Sequence, residues 1–240
     1  MKFKLENIKN FKDTIIASEH MLNEIKFEAD KDGIRFRGLD GSHVAFMSME
    51  IDKTYFDEYS IDTPESCIID TRELVKVFKR SKANDKLIFS FNEEEIKIQF
   101  KGEATRTFKL KQVDMDYDSP SMPNIDYPIT IDIDYKELKD LVKDAELYDE
   151  KLTFATEDQQ FKIISGGEFG EYSSTISTLT KVKKASSSFS ISWLNRFFKL
   201  GNVSDEVTVN MGSDMPLLLC FNDEDGLKVE FLLAPRIEQD

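Results

Sequence analysis

The sequence predicts an α+β fold of two similar halves, each built from antiparallel sheets with helices on one face. Three observations carry this. Many short segments alternate apolar and polar residues, four longer ones space their apolar residues helically, and the order of elements repeats about a proline-rich middle.

The elements follow in chain order. Met1-Lys2-Phe3-Lys4-Leu5-Glu6 alternates like a strand. From Ile8 to Ser18 the apolar residues Ile8, Phe11, Ile15 and Ile16 have helical spacing. Strand patterns follow, such as Ile34-Arg35-Phe36-Arg37, with a turn at Asp32-Gly33. Asp70 is positioned to cap a second helix through Leu74, Val77 and Phe78. Leu87–Phe91 and Ile96–Phe100 alternate again. Three of the six prolines, Pro120, Pro123 and Pro128, then fall within nine residues of an acidic stretch. Proline lacks the N–H of a central strand and biases its predecessor to extended backbone, so an extended connector is expected here. The expected divisions are 1–113, a connector at 114–127, and 128–240. Leu138, Leu141, Val142 and Ala145 mark a third helix, and Trp193, Leu194, Phe197 and Phe198 a fourth, with Gly201 at its end. Val207–Met211 reads as a strand and Asp225-Gly226 as a turn.

The halves superpose as patterns. Phe11–Glu50 lies over Leu138–Ser177 at an offset of 127, and Leu74, Phe78, Lys79 and Asp85 meet Leu194, Phe198, Lys199 and Asp205 at an offset of 120. Identity across this match is low, and the shared order of patterns is what predicts a duplication.

Composition excludes several classes. Apolar residues are 40% of 240, including 19 Phe, enough for a real core. Lys and Arg number 32 against 46 Asp and Glu, a net charge of −14, which excludes a generally basic nucleic-acid binder but not a local basic face. No run approaches the ~18 apolar residues of a membrane span. The N-terminus lacks the apolar block of a signal peptide. Cys67 and Cys220 are the only cysteines, without a CxxC, as in a reducing compartment, and His20 and His43 cannot make a histidine-rich zinc site.

Catalytic motifs are missing. Gly166-Gly167-Glu168-Phe169-Gly170 lacks the GK[ST] ending of a phosphate loop and reads as a turn. Asp223-Glu224-Asp225-Gly226 resembles half a calcium loop, but Leu232 stands where the closing glutamate belongs, so it reads as an acidic hairpin tip. Ser42-His43 is expected on a strand, where neighbours point to opposite faces and cannot form a nucleophile–base pair. Neither a cofactor nor a metal is expected.

One positive signal is electrostatic. Asp70–Lys82 carries Arg72, Lys76, Lys79, Arg80 and Lys82 against only Asp70 and Glu73. Arg196 and Lys199 lie on the fourth helix, Lys9 and Lys12 on the first, and Lys136, Lys139 and Lys143 on the third, diluted by Asp140 and Asp144. The repeat places Lys12 over Lys139, Lys76 over Arg196 and Lys79 over Lys199. Matching cations on four helices of a net-acidic chain predict a shared basic surface suited to phosphates, which are read without sequence information.

The residues now support a resemblance. Leu39-Asp40-Gly41-Ser42-His43-Val44 is similar to the (M/L)DxSHV segment of the DNA sliding clamps of the proliferating cell nuclear antigen (PCNA) family, in its archaeal form. The ending Leu232-Leu233-Ala234-Pro235-Arg236-Ile237-Glu238 resembles the family's LAP(K/R)IE tail, Ser213-Asp214-Met215-Pro216-Leu217 its S-A-D-(V/M)-P-L, and Trp193-Leu194-Asn195 its YLN helix. The resemblance spans essentially the whole chain. It implies a non-catalytic cytoplasmic, nucleoid-associated protein with a DNA clamp fold. Three copies would close into a ring, with helices lining a hole for double-stranded DNA and sheets outside. The DNA-binding residues would be Lys9, Lys12, Arg72, Lys76, Lys79, Arg80, Lys82, Lys139, Lys143, Arg196 and Lys199.

The family's partners are DNA polymerase, clamp loader, flap endonuclease and ligase, which insert short peptide motifs. Mapped here, that pocket would use Leu39, His43, Val44, Phe46, Met122, Pro123, Tyr127, Pro216, Leu232, Leu233, Ala234 and Pro235, with Val44 and Leu233 the residues most expected to be ordinary core. Leu232 replaces a residue that is often aromatic in relatives. Glu19 stands where relatives can carry a lysine. Subunits would join through edge strands matching Thr105–Val113 (Phe108, Lys109, Leu110, Lys111) and Glu171–Thr180 (Tyr172, Ser174, Ile176). The alternative is a subunit of a hetero-oligomeric or checkpoint-type clamp acting mainly as a protein scaffold.

Overall fold

The computed structural model describes residues 1–92, 95–168, 170–201 and 203–236, apart from the side chains of 179–181. The chain forms two compact units, and each is a folded body with its own core. Met1–Met122 makes the first, with Leu200–Val203 and Asn222–Val229; Pro123–Lys199, Ser204–Phe221 and Glu230–Asp240 make the second. The division falls inside the expected connector, so residues 114–122 belong to the first unit rather than standing apart.

In the first unit β1 (Lys2–Leu5) leads into α1 (Lys9–Ser18). The strands β2 (Glu24–Asp30), β3 (Gly33–Leu39), β4 (Ala45–Asp52), β5 (Glu58–Ser60) and β6 (Glu65–Asp70) follow. Then come α2 (Thr71–Phe78), β7 (Lys86–Phe91), β8 (Glu95–Lys101) and β9 (Thr105–Lys111). Two antiparallel arrays result, β5-β1-β7-β8-β9 and β4-β3-β2-β6. β2 and β3 each bury alternate residues. The tight β2–β3 turn requires Gly33, because a Cβ there would stand 2.0 Å from the Ile51 carbonyl oxygen.

Phenylalanine rings run through this core. Phe3 stacks on Phe89 at 5.1 Å and meets Phe11 of α1 edge-on at 5.5 Å. Phe11 touches Phe78 of α2 at 5.7 Å, and Phe78 meets Phe100 at 5.8 Å. All five are buried. Burying a Phe side chain stabilises by about 1.5–3 kcal/mol, so this ring chain fixes both helices on the sheet.

The second unit contains β10 (Ile129–Asp134), α3 (Tyr135–Ala145), β11 (Lys151–Gly167), β12 (Gly170–Ser190) and α4 (Ile191–Phe197). β13 (Glu206–Met211), β14 (Leu217–Asn222) and β15 (Leu227–Leu233) follow in the chain, with Asn222 and Leu227–Val229 counted in the first unit. The repeat holds at the level of elements: an offset of 127 carries α1 onto α3, and 120 carries α2 onto α4. Its sheets depart from the several short strands expected. Two long strands, β11 and β12, replace them, and their pairing slips around Asp158, which sits at φ 55. That position matches the β2–β3 turn of the first unit. Without a turn glycine, the second copy carries a register break there instead.

Helix ends follow their residues. The Asp70 carboxylate accepts from the Glu73 amide at 3.0 Å and that of Asp134 from Glu137 at 2.8 Å. Ser190 at the start of α4 makes no such bond; its hydroxyl lies 3.0 Å from that of Ser192. α4 tightens into a 3-10 turn at Phe198–Leu200 and stops at Gly201, φ 79. α2 is shorter than its charge pattern predicts. It ends at Phe78, whose carbonyl takes the Ser81 amide and hydroxyl, so Lys79, Arg80 and Lys82 lie in the following turn.

These ends give a stability test. Asp134→Ala is expected to destabilise the second unit by about 1 kcal/mol, the usual loss for an N-cap. Ser190→Ala should cost less than half as much, because no cap bond is lost. Equal shifts in thermal melting would show that the Asp134 cap contributes nothing beyond propensity.

Candidate nucleic-acid interface and partner surface

Because Phe11, Ile15, Leu74, Val75 and Phe78 are buried, the opposite faces of α1 and α2 carry the cations. Lys9, Arg72, Lys76, Lys79, Arg80 and Lys82 are exposed and Lys12 is half-buried. Several are already engaged. Lys76 Nζ lies 2.5 Å from Glu73, and Lys82 lies 3.8 Å from Glu103. Lys79 lies 2.8 Å from Glu19, the residue that ends α1. Lys79–Glu19 therefore fastens the ends of the two helices together, which gives a role to the departure at Glu19. Lys12, Arg72 and Arg80 carry no ion pair among the described residues.

In the second unit Lys143 pairs with Asp140 at 2.9 Å, and the Arg196 guanidinium lies 4.2 Å over the Trp193 ring. Arg196 and Lys199 are exposed. Lys139 differs. Its ammonium donates to the Phe198 carbonyl at 3.0 Å and sits 5.6 Å from the Tyr135 ring centroid, while the Tyr135 hydroxyl donates to the same carbonyl at 3.1 Å. Burial, reinforced by Lys143 and Lys199, lowers its pKa. Lys139 thus joins α3 to the end of α4 and is turned inward, although the repeat sets it over Lys12. The two helix pairs are fastened by different chemistry, an ion pair in one and a lysine–carbonyl bond in the other.

The predicted joining strands are both edges among the described residues. β9 ends the five-stranded array, and Tyr172–Ser177 of β12 pairs only with β11. Along β9, Phe108 and Leu110 are half-buried while Lys109 and Lys111 are exposed; Lys109 pairs with Glu95 at 2.8 Å. On β12, Tyr172, Ser174 and Ile176 are half-buried, and the hydroxyls of Tyr172 and Ser174 are shielded with no hydrogen-bond partner.

The partner-surface residues divide between the units. In the first, Leu39 is 42% exposed at the end of β3, opposite Phe46 of β4. Phe46 is 2% exposed and belongs to the core, which removes it from the expected pocket. Val44 is half-buried rather than core, and Met122 is half-buried. Ser42 and His43 are not on a strand. They lie in a turn built by Asp40, whose carboxylate accepts the amides of Ser42, Val44 and Ala45 at 2.7 Å each, and the Ser42 hydroxyl. His43 is exposed at φ 58. Burial alone would raise the Asp40 pKa, but the Ser42 hydroxyl and the three amides outweigh it and hold the carboxyl below the ordinary carboxylate range.

In the second unit Pro123 is exposed, and Tyr127, Pro216, Leu232, Ala234 and Pro235 are half-buried. Leu233 is fully buried core. The Tyr127 hydroxyl is shielded without a partner, and burial with the nearby Cys220 pushes its pKa up. The Met215 carbonyl accepts from the Ser187 hydroxyl at 3.3 Å and the Arg236 amide donates to Ser188 at 2.8 Å, so the Pro216 loop and the tail share one stretch of β12. Ile237 and Glu238 of the tail motif, and Phe169 of the glycine-rich turn, lie outside the described residues. Gly167 pairs with Gly170 across that turn. No described helix is long and apolar enough to cross a membrane.

The model of the proliferating cell nuclear antigen N-terminal domain matches residues 1–121, and that of the C-terminal domain matches 121–236. The chain belongs to this family. It is 35% identical over its whole length to a DNA polymerase sliding clamp of Methanobrevibacter smithii, covering 99% of that relative. Among solved structures it is similar to PCNA from Thermococcus kodakaraensis, with TM-score 0.92 and 24% identity over 98% of this chain and 99% of that one. A. fulgidus PCNA, solved with the C-terminal region of FEN-1 bound, has TM-score 0.92 and 23% identity over 100% and 99%. The family models meet one residue short of Met122, where the first compact unit hands over to the second.

Asp40 gives a pH prediction. A carboxylate with a depressed folded-state pKa stabilises above its unfolded value, near 3.9, and that stability is lost as pH falls through the folded value. Asp40→Asn should therefore be less stable than the unmodified chain at pH 7, with the difference shrinking below about pH 4. A gap constant from pH 7 to pH 3 in denaturant titrations would show that the Asp40 charge is not what the turn uses.

Proposed function

We propose that this chain is a sliding clamp: it encircles double-stranded DNA as a ring of three copies and tethers DNA polymerase and other replication and repair proteins. The observation that carries this is the pair of family domains filling residues 1–236 back to back. The chain itself performs no chemistry in this role. Its contribution is topological, so contact with DNA must be weak enough to slide. Exposed cations on two helix pairs supply that contact, each attracting phosphate without reading bases. Polymerase, clamp loader, flap endonuclease and ligase dock through short peptide motifs; A. fulgidus PCNA binds the C-terminal region of FEN-1. Each unit by itself offers apolar groups for such a motif: exposed Leu39 with half-buried Val44 and Met122 in one, half-buried Tyr127, Pro216, Leu232 and Pro235 in the other.

The ring closes by β9 of one copy pairing with β12 of the next. Unpaired edges of this length invite a strand partner, and Lys109 and Lys111 on β9 suit Glu171 beside Tyr172 on β12. Leu110→Pro deletes a ladder donor and should give monomers by light scattering where the unmodified chain gives trimers. A trimeric Leu110→Pro protein would place the joint elsewhere.

The DNA contact is tested by processive primer extension over a salt series on two unrelated templates. Changing Lys12, Arg72 and Lys199 together to Ala should shorten products on both templates, increasingly as salt rises. Lys139→Met should leave product length unchanged and lower the melting temperature, because that lysine is spent on Phe198. Full-length products from the triple variant at every salt would show these cations to be mere solvated surface.

A further inference from the structure

The connector is held along only part of its length. Just past β9, the Val113 amide donates to the Ile68 carbonyl of β6 at 2.9 Å. Four residues on, Lys26 Nζ of β2 donates to the Tyr117 carbonyl at 2.9 Å, and the Tyr117 hydroxyl donates to the Arg37 carbonyl of β3 at 3.1 Å. Next, the Ser119 hydroxyl donates to Glu28 at 3.0 Å. Glu28 is held in turn by Arg35 at 3.1 Å. Lys26 and Glu28 are two apart on β2 and stand on its half-buried row, so both reach the same face. Burial, with Glu24 and Glu28 nearby, raises the Tyr117 pKa further above neutral. Beyond Ser119 the pattern stops: no hydrogen bond holds residues 120–122 among the described residues, and Pro120 removes one amide outright.

We infer that Lys26, Tyr117 and Ser119 form a latch that positions Met122 for partner peptides. The inference rests on the partner-surface reading above and adds residues that reading does not include. Met122 is three residues from the last anchor, a reach of at most about 10 Å. A fixed Ser119 thus confines Met122 to a small region, and a loosened one lets it wander. A peptide binding a loosened connector must order it first, which reduces apparent affinity by the fraction of time the competent arrangement is present. The latch residues never touch the peptide; they are positioning residues.

The test uses the full chain and a synthetic peptide of the FEN-1 C-terminal region, the segment solved on A. fulgidus PCNA. Tyr117→Phe removes one hydroxyl, and Lys26→Met keeps the stem while removing the ammonium. Each should weaken peptide binding by about two- to tenfold, the equivalent of one net hydrogen bond. The oligomeric state should not change, the amides of residues 117–119 should exchange faster, and Lys26→Arg should restore both readouts. Peptide affinity unchanged in both variants, or amide exchange unchanged, overturns the latch alone. A peptide that fails to bind the unmodified chain overturns the partner-surface reading and the latch with it.

Discussion

Burial of one row of most strands beneath a pair of helices is the constraint on which each unit depends. Phe3, Phe11, Phe78, Phe89 and Phe100 are all buried, and each contributes about 1.5–3 kcal/mol, whereas an exposed ion pair contributes about 0–1 kcal/mol. Packing therefore decides how the helices lie, and the charges go where packing leaves room. With Phe11, Ile15, Leu74 and Phe78 turned inward, Lys9, Arg72, Lys76 and Arg80 have only the outward side left. The basic face follows from the core and needs no electrostatic attraction to form.

The duplication preserves this constraint and little else. Phe27 and Phe154 occupy matching core positions in the two units, and Asp70 and Asp134 cap helices by the same bond. The fasteners differ. Lys79–Glu19 closes the first helix pair and Lys139 on the Phe198 carbonyl the second. An exposed ion pair weakens with salt, while a half-buried lysine over a tyrosine ring and on a carbonyl is shielded from it. Two halves with the same order of elements are thus expected to respond differently to ionic strength, although their sequence patterns superpose.

Most of the fold was legible because it rests on periodicity. The four helices, the alternating strands, the Gly201 stop and the segment without helix or strand between β9 and β10 all follow from spacing and from Gly and Pro. What escaped depends on where single atoms go. Lys139 has the spacing of a surface lysine, and nothing in the sequence tells that its ammonium finds a carbonyl fifty-nine residues away. Phe46 and Val44 exchanged their expected places, core and surface, because the Asp40 turn delays the start of β4 to Ala45. The Asp-Gly-Ser run does signal such a turn, since a short carboxylate readily takes the following amides. Lys26 and Tyr117 are ninety-one positions apart, beyond any local pattern.

A net charge of −14 gains meaning once the cations are located. On the sliding-clamp reading, a chain that attracted DNA from every side would adhere to it rather than travel along it. Acidic residues outside the helix faces, such as Asp114, Asp116 and Asp118 on the connector, repel phosphate over about a Debye length, roughly 8 Å at physiological salt. The helix faces, partly neutralised by Glu73, Glu19 and Asp140, retain only modest attraction. Attraction confined to the helix faces of each unit and moderated by their own carboxylates suits a protein whose hold on DNA is supplied by enclosure, because each phosphate contact must break as readily as it forms.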